Sequence, residues 1–262
     1  KCINNCLNNN SRKYCGSFLP DTYRINNKDD MIQLNNNYSN EDWFIAKETW
    51  GEQRRGLKLI QKKNINHKSL KGYDEIQKLV LNSFKINNRV FHIRIYVIVD
   101  CNKGIYFFKD GIMIYCKKEF DKNNICRDNI ITASLKSGYQ NKSFCEKNKL
   151  PKALTEFYLY LLSKNRSYKL LENNIIKNLK KYFSLFKFCK KDPPKNFKTK
   201  HLYGPDIIVE ENLDCKILEV NQAPDLFFRN KNSELEYQME IKKKLYDSYL
   251  ESDYSNNFIK LY

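Results

Sequence analysis

The residues best suited to chemistry lie together in residues 203–226, YGPDIIVEENLDCKILEVNQAPDL. Two short apolar runs, 207–209 and 217–220, flank a polar turn at 210–214 and read as a strand hairpin. Asp206 stands at the mouth of the first strand, and Glu219 and Asn221 close the second. Residues two apart on a strand share a face, so Glu219 and Asn221 project together and the hairpin can bring Asp206 beside them. Carboxylates joined by an amide oxygen form a hard-oxygen set suited to Mg²⁺, whose shell is commonly completed by substrate phosphates. The plainer alternative is a surface hairpin whose acids sit in water. The apolar flanks, the matched strand lengths and the stop at Ala223-Pro224 weigh against it.

A second block, residues 43–60, reads WFIAKETWGEQRRGLKLI. Lys47 closes a strand, a polar loop follows, and a further strand leads away. Such a hairpin can fold over a triphosphate, with Lys47 as a point charge on phosphate oxygens and basic loop residues such as Arg55 adding to it. By itself this pattern also fits an ordinary basic hairpin. Further on, Arg94 sits on a strand among apolar neighbours, RVFHIRIYV at 89–97. A charge on the inward face of a strand needs a partner, which a phosphate or a carboxylate can supply.

The elements that would carry these residues are mixed. Strands are expected at 43–47, 56–60, 75–81 and 90–100, and a hairpin at 105–109 and 112–116 turning on Asp110-Gly111. Helical periodicity marks 28–37, 152–164, 170–188 and 233–251. The mixture indicates α+β or α/β, and 262 residues suffice for one large or two small domains. Lys and Arg number 47 against 30 acids, a net charge of +17. That balance favours an acidic partner, although the basic residues are interleaved with Asn, Ile and Tyr rather than run together. Nine Cys without a C-x-x-C pair, and only 3 His, signal neither a zinc site nor a disulfide framework and read as free thiols of a reducing compartment. No apolar run approaches the ~20 residues that span a bilayer.

The residues Gly204, Asp206, Leu218, Glu219, Val220, Asn221 and Pro224 resemble, in type and spacing, the carboxyl-terminal signature of the tubulin tyrosine ligase-like family. The resemblance extends to Phe18, Pro20 and Thr22, and to Trp43, Lys47, Gly51, Gln53, Arg55 and Gly56. It continues through residues 76–80, IQKLV, and the strand that carries Arg94. It implies an α+β ATP-grasp fold with two α/β lobes enclosing a nucleotide site. The division expected is a remnant amino-terminal lobe at 1–41, a central nucleotide-binding lobe at 42–81 and a carboxyl-terminal lobe with the metal site at 82–262. By the same resemblance, Asp206, Glu219 and Asn221 hold Mg²⁺, and Lys47 and Arg94 serve catalysis by neutralising phosphoryl oxygens. Lys47, Gln53, Arg55 and Gly56 cradle ATP, Gln77, Lys78, Leu79 and Val80 form the adenine-side hinge, and His92 lies near the ribose and phosphates.

There are departures. Glu48 and Arg54 replace a Pro and a Gly of the phosphate loop. Val90 and His92 replace a Lys and an Asp, and Ile114 stands where the family has an Arg. Residues 130–134, IITAS, keep a Thr but lack the family's His and Asn. The resemblance implies an ATP-dependent ligase that joins a free amino acid to an acidic protein tail through an acyl phosphate. A tubulin carboxyl terminus is the expected acceptor, as in polyglutamylation, and the changed substrate-side residues favour Glu or Gly over Tyr. The alternative is an inactive homologue that binds an acidic partner. The expected protein is monomeric and cytoplasmic, associated with the cytoskeleton, without a nucleic-acid or membrane partner.

Overall fold

The computed structural model describes residues 18–48, 56–132, 142–185, 200–222, 224, 226 and 236–262. The chain divides into two compact units, Lys1–Asn82 and Ser83–Tyr262. Both are built on antiparallel strands with helices, so the class is mixed α+β, one of the two classes that the pattern of elements left open.

In the first unit, β1 (Thr22–Arg24), β2 (Trp43–Lys47), β3 (Leu57–Gln61) and β4 (Glu75–Lys78) form a sheet in the order β1-β4-β2-β3. Helix α1 (Lys28–Asn37) starts where the Asn27 side chain accepts the Asp30 backbone N–H at 2.9 Å. Asp30, almost wholly buried, accepts the Arg24 backbone N–H at 2.8 Å and pairs with its guanidinium, tying β1 to α1. Leu34 then meets Tyr23, Phe44, Ala46, Ile60 and Ile76 in one apolar core. The alternation of β2 buries Phe44 and Ala46 and leaves Trp43, Ile45 and Lys47 half-buried.

The second unit is organised by a long central strand, β6 (Arg89–Asp100). With β7 (Gly104–Tyr115), β8 (Lys200–Val209), β9 (Cys215–Gln222) and β10 (Phe258–Lys260) it gives the order β10-β7-β6-β8-β9, and β5 (Lys85–Ile86) also pairs with β6. Helices α2 (Arg127–Ile130), α3 (Lys142–Lys147), α4 (Leu154–Ser163), α5 (Tyr168–Ser184) and α6 (Glu236–Glu251) complete the described elements. Phe91 of β6 packs edge-on against Phe84 and against Phe157 of α4, at ring-centre distances of 6.4 and 5.2 Å. Tyr96, Ile98, Ile112 and Ile114 meet Ile241 and Leu245 of α6 in a separate cluster. Each such side chain, fully buried, stabilises the fold by about 1.5–3 kcal/mol. Cover on both faces explains why β6 reads as a nearly continuous apolar run.

Three expectations are corrected. Asp110-Gly111 is not a hairpin turn, because β7 runs through it as one strand. The chain reverses earlier, after Asp100, whose carboxylate accepts the backbone N–H groups of Asn102 and Lys103 at 2.9 and 3.2 Å. Gly104 there adopts φ +121°, a conformation that favours glycine. At Asp110 the register slips from Ile95 opposite Gly111 to Val97 opposite Phe107. The Asp110 carboxylate accepts the backbone N–H of Thr155, 3.2 Å away in the first turn of α4. Asp-Gly thus marks a bulge whose Asp caps a helix, and burial pushes that carboxyl above its ordinary range. Second, β4 ends at Lys78 rather than at residue 81. Third, Cys101 is disulfide-bonded, while Cys116, Cys126, Cys145 and Cys215 are free thiols. Spacing could not signal a bond that depends on where the fold brings two Cβ atoms. Among the described residues no helix is long and apolar enough to cross a membrane.

Candidate functional site

In the second unit the candidate residues meet across three neighbouring strands. Arg94 on β6 is directly opposite Asp206 on β8, and Asp206 is opposite Glu219 on β9. Asn221 is opposite Gly204, and its amide donates to the Gly204 carbonyl at 3.2 Å and to Glu219 Oε1 at 3.3 Å. The structure therefore brings Asp206, Glu219 and Asn221 together, with Arg94 added to the row.

A bulge makes this possible. Asp206 faces Glu219, but the next pair is Ile207 with Ile217, so β9 carries one extra residue, Leu218. Ile217 is fully buried and Glu219 exposed although they stand two apart. In an unbroken strand both would point to one face, and the extra residue turns Glu219 out of the core towards Asp206.

Asp206 is only 4% exposed, and Arg94 takes both of its oxygens. The Arg94 Nη2 lies 2.9 Å from Oδ2, and Nε bonds Oδ1, a bidentate pair. Burial works against the Arg94 charge, but the neighbouring Asp206 carboxylate more than offsets it and holds the guanidinium above its ordinary value. Gly204 leaves room for this side chain. A Cβ there would fall 3.2 Å from Arg94 Cδ and 2.8 Å from Pro224 Cβ.

On the other side of Asp206 is His92, with Nε2 3.6 Å from Asp206 Oδ1 and Nδ1 2.6 Å from Thr132 Oγ1. Thr132 is a member of the constellation that the sequence reading did not name as a site residue. Its signal was present, since it is the Thr retained in the run 130–134. Ile114 is opposite His92 on β7 and buried in the apolar cluster with Tyr96 and Ile112. It brings no charge to this row.

The first unit treats its candidates differently. Lys47, at the end of β2, is half-buried, opposite Leu57 and Glu75. Gly56 accepts the Glu48 backbone N–H at 3.0 Å in a φ +78° conformation, and a Cβ there would lie 2.7 Å from Glu48 Oε2. Gln53 and Arg55 lie outside the described residues. Gln77 is 3% exposed and donates to Thr22 Oγ1 at 2.9 Å. Lys78 is ion-paired with Asp42, its ammonium 4.9 Å from the ring centre of Tyr38 and 5.2 Å from that of Phe44. Burial opposes the Asp42 charge, but Lys78 and Ser39 hold its carboxyl below the ordinary range. Leu79 is buried, its backbone N–H bonded to the Trp43 carbonyl at 2.9 Å, and Val80 is half-buried.

Among the described residues no three His, Cys, Asp or Glu side chains form a metal-holding group. The set at β8 and β9 has only two carboxylates, completed by an amide. That composition fits Mg²⁺, which accepts few protein ligands when phosphates supply the rest. Glu219 is exposed, and Asn221 uses its nitrogen internally, which leaves Oδ1 as the ligand atom. A carboxylate has about four lone-pair sites, so Asp206 can serve Arg94 and a cation together.

The antiparallel strands and mixed α+β class are consistent with the ATP-grasp-like class of ligase folds. More narrowly, residues 1–260 match the tubulin-tyrosine ligase family, and the chain belongs to that family. It is similar to a probable alpha-tubulin polyglutamylase, Ttll1, of Tetrahymena thermophila, 22% identical over 270 residues, covering 93% of this chain and 62% of the relative. A probable tubulin polyglutamylase, ttll-9, of Caenorhabditis elegans is 23% identical over 258 residues, covering 87% of this chain and 60% of the relative. Tubulin glycylase 3E of Tetrahymena thermophila is 31% identical over 152 residues, 53% of this chain and 10% of the relative. The chain thus spans less than two-thirds of the length of each.

Proposed function

We propose that this chain is the core of an ATP-dependent ligase that adds an amino acid to an acidic protein tail, a tubulin carboxyl terminus foremost. The observation that carries the reading is the row of Arg94, Asp206 and Glu219 across β6, β8 and β9, with Asn221 at its edge. Asp206, Glu219 and Asn221 would hold Mg²⁺, which when bound supplies charge neutralisation at phosphate oxygens. Lys47, with Arg55, is assigned to the phosphates of ATP. Arg94 orients Asp206 and offers positive charge where the transferred phosphoryl group becomes more anionic. In this reading an acceptor carboxylate oxygen attacks the γ-phosphorus and ADP leaves. An amine then attacks the acyl carbon, phosphate leaves, and the amine loses a proton as the amide forms. The residues position and neutralise, and no side-chain nucleophile is needed.

Ile114 is buried among apolar residues and cannot make the bidentate carboxylate contact of an Arg. For that reason Glu or Gly is proposed as the added residue in preference to Tyr. The net charge of +17 suits an acidic tail, with surface lysines steering it. The test is to incubate the chain with Mg·ATP, tubulin and each amino acid, and to read the tail mass. Addition of Glu or Gly is expected, and efficient addition of Tyr would refute the Ile114 argument. A second reading, a binding protein without catalysis, is favoured by Arg94 occupying both Asp206 oxygens. Absence of product, together with indifference of the melting temperature to millimolar Mg·ATP, would establish it. Tail binding in either case should weaken as salt rises, because exposed charges are screened over about 8–10 Å.

A further inference from the structure

We propose that His92 and Thr132 form a positioning pair for Asp206, a supporting contact that sets how firmly this carboxylate presents itself to a divalent cation. The inference rests on the metal role given to Asp206 above.

Asp206 is nearly buried, so its orientation is decided by side chains rather than water. Arg94 grips it from β6. His92 comes from the same strand, two residues earlier and on the same face, and reaches Oδ1 with Nε2 at 3.6 Å. The imidazole is itself held, because Thr132 Oγ1 lies 2.6 Å from Nδ1. Thr132 is anchored in turn by its bridge to Cys116, the residue after β7.

The electrostatics choose the tautomer. A lone pair on Nε2 would face the Asp206 carboxylate and be repelled, whereas an Nε2–H is attracted. With the proton on Nε2, Nδ1 must accept, and the Thr132 hydroxyl is the donor that satisfies it. The Thr132 hydroxyl then hydrogen-bonds His92 Nδ1, while the Nε2–H faces Asp206 Oδ1 at 3.6 Å, an electrostatic contact longer than a hydrogen bond. Ligating carboxylates are commonly fixed by such outer contacts, and their loss costs metal affinity rather than the fold. Oδ1 is shared by Arg94 and His92, while among the described residues Oδ2 has a hydrogen bond only from Arg94 Nη2, so the two oxygens are not equivalent. Removing the imidazole releases one side of Oδ1 and, among the described residues, leaves Arg94 as the remaining charged restraint on the carboxylate.

The test measures Mn²⁺ binding, in the presence of a non-hydrolysable ATP analogue, by electron paramagnetic resonance, so that no turnover is needed. His92→Leu and Thr132→Val should each weaken Mn²⁺ by on the order of tenfold. The double variant should lose about as much as either alone, because the residues act in series. His92→Gln, which keeps an amide N–H towards Asp206, and Thr132→Ser, which keeps the hydroxyl, should restore most of the affinity. Melting temperatures control for fold damage, and loss of stability without the rescue pattern would overturn the proposal. So would unchanged Mn²⁺ affinity in His92→Leu, or independent, additive effects of the two residues. If the wild-type chain binds no Mn²⁺ at all, the metal reading of Asp206 fails and this inference fails with it. Wild-type binding that the His92 and Thr132 variants leave untouched sinks this inference alone.

Discussion

The two units use their polar candidates in different ways. On β6, β8 and β9, Arg94, Asp206 and Glu219 face one another across strands, and the row ends in an exposed carboxylate. In the first unit, Gln77 and Lys78 are engaged inside their own sheet, Gln77 with Thr22 on β1 and Lys78 with Asp42 beside β2. The difference teaches that a residue matching a motif can be there to hold the scaffold. Gln77 and Lys78 have visible structural work, whereas nothing within the hairpin requires Glu219 to be an acid.

The largest effect expected of this contrast is at Arg94. Arg94→Ala leaves the Asp206 carboxylate buried without its guanidinium, and losing one partner of a buried pair costs about 3–5 kcal/mol. The side chain of Arg94 is 20% exposed, which points to the lower end. Chemical denaturation should show that loss, and Arg94→Met combined with Asp206→Leu should recover much of it, since a matched apolar pair leaves no orphaned charge. If Arg94→Ala leaves stability unchanged, the row is not the tightly coupled unit described.

Next comes Lys47. Lys47→Ala should weaken ATP binding by about 2–3 kcal/mol, the value of one phosphate-directed charge in a partly desolvated site. Isothermal calorimetry reads this directly, and unchanged affinity would remove Lys47 from the phosphate assignment.

Lys78→Ala and Gln77→Ala are expected to act mainly on stability. Gln77 is buried, and losing its bond to Thr22 should cost about 1 kcal/mol. The Lys78–Asp42 pair is partly exposed and should contribute no more than about 1 kcal/mol. It also predicts a pH dependence. The folded carboxyl of Asp42 lies below its unfolded value, so the stabilisation is present above the unfolded pKa and lost as pH falls through the folded one. Lys78→Ala should flatten that acid limb. A strong loss of ATP affinity in Lys78→Ala with unchanged stability would reverse the comparison and make Lys78 a nucleotide contact first.

The sequence made much of this legible, for identifiable reasons. The hairpin of β8 and β9 could be read because its apolar runs are short, matched and bounded by turn residues. The shared face of Glu219 and Asn221 follows from strand periodicity alone. Periodicity could not show the bulge at Leu218, since an inserted residue changes the facing of its neighbours without changing composition. Asp110-Gly111 misled because the same dipeptide suits a turn or a bulge, and the choice was made by Thr155, 45 residues away, whose amide needed a cap. The Arg94–Asp206 pair was half visible. The strand context demanded a partner for Arg94, but only the register of β6 with β8 selects Asp206, 112 residues on. Thr132 itself was visible as the Thr kept in the run 130–134, but its contact with His92, 40 residues away, was not.

The smallest stability effect belongs to Glu219→Gln, and it is the most discriminating. Glu219 is exposed, and its one described side-chain contact is the Asn221 amide at 3.3 Å, which a Gln carbonyl can also accept. Surface changes of this kind move stability by no more than about 0.5 kcal/mol. A metal ligand, however, loses its charge. A ligand bound only by the native state raises the melting temperature by mass action, so wild-type protein should be stabilised by Mg·ATP. In Glu219→Gln the unliganded melting temperature should match wild type, while the Mg²⁺-dependent part of the increment should largely vanish. If that increment survives intact, Glu219 is a solvated acid at the end of a strand. If the unliganded protein is itself strongly destabilised, β9 resembles the first unit's sheet, and its acid is part of the scaffold.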